Sequence, residues 1–118
     1  MKVELSEYFL KKLAELKSYI SRDSEHYAEN FILSLRESLR KLENFPSAGR
    51  TIPEFYDPNV REIIYRDYRI IYRLEPDRVV ILFLFHGKRD PRELKQFLQS
   101  EWCEKRPIRA VMYDFIFG

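Results

Sequence analysis

The stretch VREIIYRDYRIIYRLEPDRVVILFLFHG, residues 60–87, decides the fold. It reads as three strands, broken at about Asp67 and again at Glu75–Pro76–Asp77. In the second segment Tyr68, Ile70 and Tyr72 alternate with Arg69, Ile71 and Arg73, so the two sets face opposite sides of a sheet. The third, Val79–Phe85, shows no polar alternation, and such a run belongs to a central strand covered on both faces. Connections this short join antiparallel neighbours in a meander. The apolar run then stops at His86, Gly87, Lys88, Arg89 and Asp90. A buried strand that ends in ionisable groups marks its exit as the candidate functional edge.

Upstream, the period changes from two to that of a helix. KVEL, residues 2–5, is a short strand with Val3 and Leu5 on one side. Ser6 is placed to cap a helix running to about Ser21, with Phe9, Leu13, Leu16 and Ile20 on one stripe. Asp23 or Ser24 starts a second helix, whose stripe is Ala28, Phe31, Leu35, Leu39 and Leu42 and whose stop is Pro46. Two helices with a short polar joint form an antiparallel hairpin. The segment FPSAGRTIPEFYDP, residues 45–58, is a loop, and Arg50 within it is expected to fix that loop by hydrogen bonds.

Downstream, Asp90 and Pro91 open a further helix with Leu94, Phe97 and Leu98 facing inward. The predicted fold class is α+β, in the order β-α-α-β-β-β-α, with an N-terminal helical hairpin packed on a small antiparallel sheet. Residues 1–102 make one domain, and residues 103–118 make a C-terminal extension. The apolar run IRAVMYDFIFG in that extension reads as an edge strand or as a partner-binding tail, since left exposed it would invite aggregation.

Composition narrows the function classes. A chain of 118 residues with 45% hydrophobic content and only three glycines can bury a core without disulfides or metals. One cysteine, Cys103, and two histidines, His26 and His86, cannot complete a closed zinc site, so no cofactor or metal is expected. No segment approaches the length of a membrane span, and the opening residues lack a secretory apolar core. A cytoplasmic protein with no membrane partner is therefore expected. The net charge of +2 is too small for strong unaided nucleic-acid binding. From Arg50 onward to Arg92, however, every basic residue except Lys88 is arginine, the side chain best shaped for phosphates and carboxylates.

Four words in order, FPSAGR (45–50), VREI (60–63), DYRIIYRL (67–74) and FHGKRDP (85–91), together with the helical hairpin, resemble the RelE/ParE toxin superfamily. The likeness covers roughly residues 1 to 100. It implies the toxin of a type II toxin–antitoxin system, active in growth inhibition and plasmid stabilization, with a cognate antitoxin protein as partner and DNA reached only through that antitoxin. Two biochemical classes share the fold. One cleaves mRNA on the ribosome without a metal, as an mRNA interferase. The other, the ParE type, is a DNA gyrase inhibitor and not an enzyme of this kind. Fold alone does not choose between them.

Metal-free RNA cleavage needs a base, an acid and cations for the charged phosphorane. The resemblance places Arg69 and Arg89 where the nuclease subgroup has catalytic arginines, and His86 beside them is suited to proton transfer near neutrality. The subgroup's two lysines, however, fall at Val60 and Glu62, and its late tyrosine falls at Lys95. A carboxylate in place of a phosphate-binding lysine argues against the nuclease. The HGKRD ending is typical of ParE-like members, which favours gyrase inhibition, with Arg61, Arg69, Arg73, Lys88 and Arg89 as the target-binding surface. Tyr65, Tyr68 and Tyr72 serve either that surface or the core.

Overall fold

The computed structural model describes residues 2–52, 57–86 and 110–112, and for residues 85, 86 and 110–112 it describes the strand placement alone. Ser6 ends the first strand, β1 (Lys2–Ser6), and caps the first helix, α1 (Glu7–Ser21). Its backbone is extended, and its hydroxyl accepts from the Phe9 N–H at 3.0 Å, satisfying one donor that no helical carbonyl can reach. Ser24 does the same for α2 (Glu25–Asn44), accepting from the Tyr27 N–H at 3.1 Å. The helix stops two residues before Pro46, as a ring without an N–H requires.

The stripes read from the sequence face the sheet. Phe9 and Leu13 of α1, and Ala28, Phe31, Leu35, Leu39 and Leu42 of α2, are all buried. Against them lie Val3 and Leu5 of β1, Tyr65 of β3 (Val60–Tyr65), Ile70 and Tyr72 of β4 (Tyr68–Leu74), and Val79, Ile81 and Leu84 of β5 (Arg78–His86). Ile71, Val80 and Leu82 are buried as well, so the central segment of β5 is apolar on both sides.

Strands β3, β4 and β5 form the expected antiparallel meander. The full sheet has the order β2-β3-β4-β5-β1-β6, where β2 is Arg50–Thr51 and β6 is Ala110–Met112. Two features depart from expectation. The sheet is mixed rather than antiparallel, because β1 runs parallel to β5 with Val3 opposite Val79 and Leu5 opposite Ile81. A strand buried on both faces needs partners along both edges, and β1 fills the edge that the meander leaves open. The helical hairpin after β1 supplies the long connection that parallel strands require. Second, Arg50 and Thr51 leave the loop to pair with Glu62 and Arg61 at the sheet edge.

Beyond β1, β6 pairs antiparallel, with Ser6 opposite Ala110 and Glu4 opposite Met112. The helix expected over 90–102 lies outside the described residues, as does the rest of the C-terminal extension.

The β4–β5 ladder contains one register break. Ile71 faces Phe83 while Tyr72 faces Ile81, so Leu82 has no partner on β4. The Leu82 carbonyl is met instead by the Ser6 hydroxyl at 2.7 Å, within the buried interior. Ser6 thus holds a helix start with its oxygen and a strand irregularity with its proton. Replacing it with alanine loses a cap and removes a buried hydrogen bond to the Leu82 carbonyl, at a cost of about 2–3 kcal/mol. Ser24→Ala, at an exposed cap, should cost about 1 kcal/mol or less. Urea denaturation of the two variants measures the difference, and equal losses would deny Ser6 its second role.

Candidate functional site

Two polar clusters flank β3, one on each face. On the hairpin side, Tyr72 is fully buried and its hydroxyl is saturated. It donates to the Pro46 carbonyl at 2.8 Å and accepts from the Gly49 N–H at 2.8 Å. Arg61, across the ladder from Tyr72, donates from Nη1 to the carbonyls of Gly49 at 3.0 Å and Ser47 at 3.3 Å. Residues 46–49 are therefore clamped onto the sheet from two directions. The approach is so close that a Cβ on Gly49 would lie 2.5 Å from the Tyr72 hydroxyl and 2.6 Å from the Glu62 carbonyl oxygen. Burial pushes the Tyr72 hydroxyl above the usual tyrosine value, with the Gly49 hydrogen bond and the Arg61 charge opposing that shift.

On the opposite face, Glu62 has no side-chain exposure and stands between two arginines. Its Oε1 accepts from Arg50 Nε at 2.6 Å. Its Oε2 accepts from Arg69, from Nε at 2.7 Å and also from Nη2. The two cations differ sharply in surroundings: the Arg50 side chain is 69% exposed, whereas that of Arg69 is 14% exposed. Further along the same face Arg73 donates to Glu75 at 2.8 Å and Arg78 donates to Glu4 at 2.8 Å.

The arginines singled out from the sequence are thus divided. Arg69 and Arg73 share one face by alternation along β4, each with a carboxylate partner. Arg61 points to the other side and holds the loop, the task expected of Arg50. Tyr65 and Tyr72 belong to the core, and Tyr68 packs against it half-buried. In register, His86 stands opposite Tyr68, and Phe85 opposite Arg69, so the exit of β5 adjoins the start of β4. Lys88 and Arg89, and the side chain of His86, lie outside the described residues.

Three participants were missed in the sequence. Glu62 read as an absent lysine rather than as a partner, although a carboxylate in phase with Val60 and Ile64, on an otherwise apolar set of that strand, signals a buried ion pair. Arg66 is the first residue of the two-residue β3–β4 turn and takes a positive φ of 52°, unusual for a residue with a Cβ. Its guanidinium lies 5.7 Å from the Phe31 ring centre and 5.4 Å from that of Tyr65, and donates to the Tyr27 hydroxyl at 3.3 Å. Tyr27, exposed on α2, is the third. Together they tie the turn to the helices.

The family described as ParE toxin of type II toxin-antitoxin system, parDE, matches residues 3–91 of this chain. No curated protein matches it.

The two clusters carry separate tests. Arg69→Ala leaves a buried carboxylate with one exposed partner and should cost about 3 kcal/mol, whereas Arg50→Ala should cost about 1 kcal/mol or less. Chemical denaturation of both variants checks the asymmetry. Tyr72 gives a pH dependence. Its folded value is raised above the unfolded one of about 10, so its contribution is complete below that pH and is lost as pH climbs through the folded value. The urea midpoint of the wild type should fall above about pH 10, and Tyr72→Phe, less stable at pH 7, should fall less steeply.

Proposed function

This chain belongs to the ParE toxin family and is the toxin of a type II toxin–antitoxin system with a cognate antitoxin, and from that footing we propose that it acts in the cytoplasm by binding and inhibiting DNA gyrase. One observation carries the choice. Arg69, the described arginine best placed to clamp a phosphate, spends its Nε and Nη2 donors on the buried Glu62 carboxylate. A scissile phosphate held through those two donors would have to displace that carboxylate, and a buried charge stripped of its partner costs several kcal/mol. Arg61 and Arg73 are likewise engaged, with loop carbonyls and with Glu75. Inhibition by surface contact needs no such rearrangement. In this reading Lys88 and Arg89, with the strand exit at His86, face the target protein.

The alternative implied by the resemblance, ribosome-dependent mRNA cleavage by Arg69, Arg89 and His86, is not favoured by the ladder. The register pairs Arg69 with Phe85 and Tyr68 with His86, so His86 and Arg69 are out of phase along the pleat. Two assays run side by side separate the readings. The purified toxin should abolish gyrase supercoiling at concentrations that leave a translated message intact. Message cut at codons, with cutting lost in His86→Ala or Arg89→Ala, reverses the assignment.

A further inference from the structure

We propose that Arg50 and Arg69 form a two-arginine oxyanion cradle, and that Glu62 is its resident anion, a specificity-determining residue that keeps phosphate off this face of the sheet. This deepens the reading above, which rests on the Glu62–Arg69 pair, by adding Arg50 and a ligand class. Each oxygen of the carboxylate takes its own guanidinium: Oε1 from Arg50, Oε2 from Arg69 through two donors. That is the donor arrangement which recognises the oxygens of a phosphate as readily as those of a carboxylate.

The trio holds two cations and one anion, more positive charge than neutralising Glu62 requires. The surplus cation, Arg50, sits on a two-residue edge strand with most of its side chain in solvent. Arg50 gives the cradle an open side, while Glu62, with no exposed surface, closes it from within. Removing the carboxylate leaves two guanidinia facing one vacated position, an arrangement that calls for an anion. Gly49 fixes the geometry. Its close seat against Tyr72 and the Glu62 backbone carbonyl places the next residue, Arg50, at the edge of β3.

The test uses the purified full chain and inorganic phosphate as the probe, against chloride at equal ionic strength. Wild-type protein should show no stabilisation specific to phosphate. Glu62→Ala, which opens space between the guanidinia, should show a saturable rise in thermal midpoint and bind phosphate about tenfold more tightly than wild type or better. The gain should vanish in E62A/R50A and in E62A/R69A. A folded E62A with wild-type phosphate affinity overturns the proposal, as does a gain that survives removal of either arginine. If E62A folds only in phosphate, the proposal stands. If it folds in neither buffer, Glu62→Gln, which keeps the volume, decides: tighter phosphate binding supports the cradle and unchanged binding overturns it.

A short single-stranded RNA in place of phosphate identifies the source of the ligand. Binding of both assigns a backbone phosphate, and binding of phosphate alone assigns a free or terminal one. Neither gyrase nor ribosome enters these measurements, so they fail or succeed independently of the supercoiling result.

Discussion

The fold turns on the hydroxyl of Ser6. It receives the Phe9 N–H at the start of α1 and gives its proton to Leu82 in the middle of the sheet. Helical layer and central strand are therefore joined through one buried oxygen, at the point where the β4–β5 ladder skips a residue. The skip would otherwise leave an irregular stretch of backbone in an apolar interior, where an unmet carbonyl is costly. With Ser6 in place, β1 is held beside β5, and the stripes of both helices have a continuous apolar surface to cover. The polar clusters around β3 are arranged on that base.

Those clusters show how a strand can serve two purposes at once. Arg61 and Glu62 are adjacent in sequence and act on opposite sides of the sheet. Arg61 and Tyr72 hold the loop at residues 46–49, while Glu62 gathers Arg50 and Arg69. Gly49 lies between the two systems, against the Tyr72 hydroxyl on one hand and the Glu62 backbone on the other. The FPSAGR word is thereby explained by contact geometry: a proline carbonyl to accept, a glycine to permit approach and an arginine to reach the carboxylate.

Much of the fold was legible because it is written in periodicity. The stripes of α1 and α2, the alternation of β4 and the unbroken apolar run of β5 each reflect how a single element is buried, and each appears where the pattern places it. The parallel pairing of β1 was not legible, since five residues near the N-terminus carry no local mark of which strand they will meet. The bulge at Leu82 left none either. For the site, the arginines are visible in the sequence, but their engagement depends on long-range partners. That Arg50 meets Glu62 while Arg61 meets Ser47 and Gly49 is decided by register and by the tightness of one loop, and neither is a property of any short word.

The parallel β1–β5 pair also sets the order of events during synthesis. Ser6 and Leu82 are separated by 76 positions, yet bond directly. While the nascent chain lengthens, the first strand waits roughly 4–16 seconds, and the completed helical pair roughly 2–8 seconds, before β5 is translated. During that interval the stripes lack the surface that β5 supplies, and Val3 and Leu5 have no parallel partner to lie beside. A poison built in this way stays incomplete until its gene has been read almost to the end of the sheet.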